Sequence, residues 1–118
     1  MILPYVFLGG GVGAVLRYGI SVMTYKPGNG FPLATFLANL LACLLLSIVI
    51  IAVKDLDPRV RYLLGTGLCG GLSTFSTFSL ETFDLINNGQ YGVCLTYILL
   101  SLVCCFLIFY GVWMLFSV

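Results

Sequence analysis

The chain has 118 residues, 61% of them hydrophobic and 8% charged, with a mean hydropathy of +1.16. A soluble domain is about 25% charged, so this composition excludes a water-coated globule, and its hydrophobicity excludes disorder. A net charge of +1 with no basic stripe excludes nucleic-acid binding. The absence of histidine removes the usual near-neutral base and the commonest metal ligand, so no enzyme chemistry is expected. A membrane-spanning helix needs about 20 apolar residues, so four spans use about 80 to 90 residues and five leave almost no loops. An all-α membrane protein with four transmembrane helices in a single domain is predicted.

The first predicted span runs from Ile2 to about Met23. Pro4 falls in its first turn, where proline is tolerated. The N-terminus lacks a basic region and a small-residue cleavage site, so a mature span is expected rather than a signal peptide. Gly9 and Gly13 are four apart, share a helix face and permit close helix approach. Arg17 near the far end has two open readings: a snorkelling end residue, or a charge facing a pore mouth or partner. Residues 24–32 (TYKPGNGFP) read as a loop.

The second span covers 33–53. Asn39 lies deep in it, where lipid exposure is costly, so it should face protein or a watery path. An interhelical hydrogen bond is the slightly favoured reading. Residues 54–61 (KDLDPRVR) form the only strong hydrophilic loop and carry three of the five basic residues. The positive-inside rule puts that loop in the cytoplasm, with a weak to moderate bias.

The third span, 62–85, is the least apolar. Gly65, Gly67, Gly70 and Gly71 fill its first half, followed by Ser73, Thr74, Ser76, Thr77, Ser79 and Thr82. The Gly-Gly pair weakens a helix by about 1 kcal/mol per residue. Non-helical backbone at membrane depth survives only where it is buried in protein or lines a cavity. A broken helix also exposes carbonyls and a half-helix N-terminus, which suit cations and anions respectively. Phe75 and Phe78, three apart, share a face. Their partially positive edges suit a small anion without the trapping strength of Lys or Arg, although a packing stripe is the commoner meaning of such spacing.

Residues 87–90 (NNGQ) read as a turn. The fourth span covers 91–116. Thr96, Tyr97 and Ser101 share a flank in its first half, and hydroxyls bonding back to their own helix are the default for any one of them. Tyr110 and Trp113 read as an interfacial aromatic belt. The five cysteines, Cys43, Cys69, Cys94, Cys104 and Cys105, contain no CxxC pair and read as small packing residues.

Three of these stretches together resemble the CrcB/Fluc fluoride channels. They are residues 9–18 (GGGVGAVLRY), residues 32–39 with the asparagine, and residues 67–79 (GLCGGLSTFSTFS), the most specific. Tyr97 and Ser101 match a fourth-helix polar track less specifically. The resemblance implies an antiparallel, dual-topology dimer with two fluoride pores in the cell membrane. It also implies a structural sodium ion at the dimer centre, held by the backbone carbonyls of Gly70 and Ser73. Asn39, Phe75, Phe78, Tyr97 and Ser101 would line the fluoride pathway, with Arg17, Thr77 and Glu81 accessory. The partners implied are the fluoride ion, lipid, and a second copy or a homologous subunit. Ser73 stands where the family more often has threonine, and the fourth-helix track offers no hydroxyl from Cys104 to Leu107.

Two alternatives stand beside this reading. A proton-coupled exporter of the small multidrug resistance type has the same span number but needs a first-span acid, which Ile2 to Met23 lacks. One subunit of a heterodimeric fluoride channel is motivated by the charge bias of the 54–61 loop.

Overall fold

A computed structural model of the chain describes residues 1–25 and 30–117. Residues 26–29 of the predicted first loop, with Lys26, lie outside the described residues. Three helices are long and apolar enough to cross a membrane: Leu3–Met23, Leu33–Ala52 and Tyr91–Phe116. The third predicted span lies between the second and third of these as a broken helix.

Helix α1 spans Leu3–Met23, with Pro4 at its first turn. Helix α2 spans Leu33–Ser47 and widens into a π-helical turn, Ile48–Ala52. The predicted hydrophilic loop is shorter than its charge run, because Asp57 and Pro58 start helix α3, Pro58–Tyr62. Asp57 accepts the Arg59 N–H at 2.8 Å, and proline at the first helical position is preset for the helix. The chain continues as a π-helical stretch, Leu63–Cys69, and a short helix α4, Gly70–Leu72. Ser73 and Thr74 are extended. Helix α5 then runs Phe75–Asn87, a turn follows at Gly89 (φ 74°), and helix α6 covers Tyr91–Phe116. The positive φ is the reason glycine stands in that turn.

The break is not at Gly70-Gly71. Gly70 is helical, with φ −64° and ψ −38°, and Ser73 leaves the helix with ψ 156°. The glycines have another task. A Cβ on Gly71 would run into the Gly10 carbonyl, and one on Gly67 would meet the Gly9 Cα at 2.9 Å. Cβ atoms on Gly9 and Gly13 would likewise strike the Leu63 and Leu68 carbonyls. Four glycines thus press α1 backbone-to-backbone against the first half of the broken span, as the Gly9/Gly13 spacing predicts. Packing keeps this glycine-rich half helical despite its poor propensity.

Gly13→Val should therefore destabilise the fold by about 1–3 kcal/mol or more, since backbone cannot yield to an added side chain. Gly11→Val, at a position with nothing within 4 Å, should be tolerated. Monodispersity on gel filtration after a heating series checks the pair.

The buried core is small and split across the break. Ala38, Ala42, Cys69 and Leu72 form one cluster, and Leu85, Cys94 and Tyr97 the other. Most large apolar side chains point outward, including Phe7, Phe106 and Leu115, as expected of a protein whose solvent is lipid.

Candidate functional site

The Ser73–Thr74 break redistributes four backbone groups. In an unbroken helix the Thr74 N–H would bond the Gly70 carbonyl and the Thr77 N–H the Ser73 carbonyl. Instead the Thr74 N–H donates to Asn39 Oδ1 at 2.8 Å, and the Thr77 N–H donates to Thr74 Oγ1 at 3.1 Å. Asn39 Nδ2 returns a bond to the Thr74 carbonyl at 3.3 Å. The Gly70 and Ser73 carbonyls are thereby released from helix bonding. The Gly71 carbonyl accepts Arg17 Nε at 3.1 Å. Arg17 is half-buried and tied to the broken span, which is neither of its two sequence readings in pure form. Asn39 follows the favoured reading: its amide is interhelical glue, and the groups it binds are those a break leaves unpaired.

Thr74 also caps α5. A threonine oxygen on the first-turn N–H groups is the usual start signal, and it aims the partly positive end of α5 back at the break. Ser73 Oγ bonds the Cys69 carbonyl at 2.8 Å, closing α4 from the other side.

A cavity of ≈ 280 Å³ opens beside the break. It is lined by Asn39, Cys43, Ser73, Thr74, Phe75, Phe78, Ser101, Leu102 and Cys105. Phe75 and Phe78 stack at 5.8 Å with an interplanar angle of 29°. Phe75 is 78% exposed, while Phe78 is half-buried and packs on Tyr97 at 5.0 Å. The spacing therefore builds one aromatic wall out of two unequal rings.

The Ser101 hydroxyl, in the same wall, is buried and has no hydrogen-bond partner. Such a group costs about 1–3 kcal/mol unless something fills its bond. Thr96 takes the default fate and bonds back to Gly92 at 2.8 Å. Tyr97 does not line the cavity. It is fully buried behind Phe78, and its hydroxyl reaches Glu81 Oε1 at 3.5 Å. Thr77 and Arg17 face a separate space with Tyr18, Ser21 and Thr35. Glu81 lines a third, with Asp84 and Gln90. Of the predicted residues, Asn39, Ser73, Phe75, Phe78 and Ser101 are thus brought together, and Tyr97, Arg17, Thr77 and Glu81 are not.

Gly70 and Ser73 both border a smaller cavity of ≈ 140 Å³ across the break, with Thr66 and Cys69. Gly70 is exposed, and a Cβ there would meet nothing within the subunit. Among the described residues no cluster of three or more Cys, Asp or Glu side chains suits a metal.

Residues 4–113 match the family model described as CrcB-like protein, Camphor Resistance (CrcB). The chain belongs to the CrcB family. It is 41% identical over 113 residues to the fluoride-specific ion channel FluC of Phocaeicola vulgatus, covering 92% of this chain and 93% of that one. It is 43% identical over 116 residues to FluC of Pyrococcus horikoshii, covering 93% and 92%. It is 46% identical over 112 residues to FluC of Pyrococcus furiosus, covering 90% and 89%. This is a family of multi-pass membrane channels and not of enzymes, which sets the multidrug exporter aside.

Proposed function

We propose that the chain is the subunit of a fluoride-selective channel that lowers cytoplasmic fluoride by passive efflux, working as an antiparallel homodimer around a structural sodium ion. The unpartnered, buried Ser101 hydroxyl beside the Phe75 and Phe78 rings carries this reading. Fluoride is a small, strongly hydrated anion. A pore for it must replace that hydration with donors, and hold the ion weakly enough to release it.

The cavity offers such a set. The Ser101 O–H has no protein acceptor to compete for it. One N–H of the Asn39 amide is spent on the Thr74 carbonyl, which leaves the other. The ring edges of Phe75 and Phe78 add weak positive potential. The N-terminus of α5 points its partial positive charge at the same place. Arg17, the full positive charge nearest the break, is bound to the Gly71 carbonyl. No lysine or arginine lines the cavity, so nothing there would trap the anion.

The donor chemistry fits sodium. The Gly70 and Ser73 carbonyls have lost their helical donors, and backbone oxygens suit a hard monovalent cation. Two carbonyls are too few to replace the water around a cation, and a second copy contributing the same pair would raise the set to four, which supports the dimer. Bound there, the ion would hold the two breaks together and add positive potential for the passing anion.

Fluoride release from proteoliposomes tests the reading, with Ser101→Ala as its sharpest variant. Removing an unpaired buried hydroxyl should leave stability equal or slightly higher. Flux should fall about threefold, a loss of about 0.7 kcal/mol of ion stabilisation. A variant less stable yet equally conductive would mean that the hydroxyl serves the fold.

A further inference from the structure

Cys43 and Cys105 are nucleophilic groups in the cavity wall that the proposed permeation does not use. Cys43 follows Asn39 by four residues on α2, and Cys105 follows Ser101 by four on α6. Each thiol therefore lies one helical turn beyond a polar residue of the wall, on the same face. Both line the ≈ 280 Å³ cavity, both are half-buried and free, and the helices that carry them, α2 and α6, pack against each other. Cys104 neighbours the pair but does not line the cavity.

Two thiols lining one cavity, with no group of three or more Cys, Asp or Glu among the described residues, do not make a zinc or calcium site. They match soft ions that take two sulfur ligands, the class of Hg²⁺, Ag⁺ and Cu⁺. We infer that Cys43 and Cys105 form a bridging site for a soft, thiophilic, two-coordinate metal ion, which ties α2 to α6 and closes the cavity beside Phe75 and Phe78. With HgCl2 two Hg–S bonds form, two S–H and two Hg–Cl bonds break, and two protons and two chlorides pass to water. No atom changes oxidation state, and the product is neutral, which suits an apolar wall. The site stands on the geometry of the cavity, whereas closure of the pore rests on the fluoride reading above.

Purified protein loaded with HgCl2 and desalted in excess monothiol should retain a single Hg²⁺ per chain, because two protein sulfurs outcompete successive single thiols. Cys43→Ser and Cys105→Ser should each lose it, and Cys104→Ser should keep it, all with the gel-filtration profile of the parent. Retention in either of the first two variants, or none in the parent, overturns the site. In proteoliposomes Hg²⁺ should cut fluoride release by the parent about tenfold or more. Cys105→Ser, scored against its own untreated rate, should resist. Retention of the metal with unchanged flux would overturn closure alone. A parent that releases no fluoride would overturn the channel reading and leave metal retention to be scored by itself.

Discussion

Replacing Asn39 by alanine is expected to cost about 2–4 kcal/mol of stability and about tenfold or more of flux. The stability figure follows from two half-buried backbone groups of Thr74 that lose their partner, at about 1–3 kcal/mol each. The flux figure follows because every 1.4 kcal/mol shifts a population about tenfold. Without Asn39 the Thr74 N–H is free to return to the Gly70 carbonyl, which closes the break as a continuous helix. That rearrangement removes a carbonyl from the proposed sodium site and re-aims α5 together. Asn39→Asp keeps the acceptor for the Thr74 N–H but loses the donor and places a negative charge on the anion path. It should therefore fold better than Asn39→Ala and conduct no better. Thermal gel filtration and fluoride release, measured on both variants, check the order.

Phe75→Ile and Phe78→Ile should each lower fluoride flux about tenfold while the proposed dimer stays assembled. An aromatic edge contact is worth about 0.5–1.5 kcal/mol, and each change removes one edge and breaks the stacking that orients the other. The two differ in stability. Phe75 is largely exposed, so its replacement should cost well under about 1 kcal/mol. Phe78 packs on buried Tyr97, and its loss should cost about 1–2 kcal/mol through imperfect repacking. Cross-linking followed by gel filtration separates assembly from conduction. Normal flux in both variants would remove the rings from the pathway.

The long apolar spans were legible because nothing interrupts them. Helix α6 starts at Tyr91 and ends at Phe116, where a turn and the end of the apolar run lie. The Gly9/Gly13 approach was legible as well, because four-residue spacing has one geometric meaning on a helix. The place of the break was not. The Gly-Gly pair is the weak point by propensity, but packing against α1 keeps it helical, and within the 67–79 stretch the chain opens where Asn39 takes a donor from 35 residues away. Local sequence contains no trace of such a pairing. Tyr97 and Ser101 share a flank by spacing, yet one is buried behind Phe78 and the other lines the cavity. A small rotation of α6 decides that difference, and hydroxyl spacing does not encode it. The Cys43–Cys105 pair was invisible for the same reason: each cysteine reads as packing until α2 and α6 are set side by side.

The scarcity of charge also gains a physical meaning. A lone subunit leaves two carbonyls of the break without helix donors and a buried serine without an acceptor. Lipid satisfies none of these groups. A second subunit, a cation and a passing anion would satisfy all of them.

The most direct test is fluoride release from liposomes reconstituted with the purified, unmodified protein. Electrode recordings should show rapid loss of internal fluoride once the membrane potential is released, with internal chloride retained. Fluoride that stays inside, or chloride that leaves as fast, would contradict a fluoride-selective channel built from this chain alone.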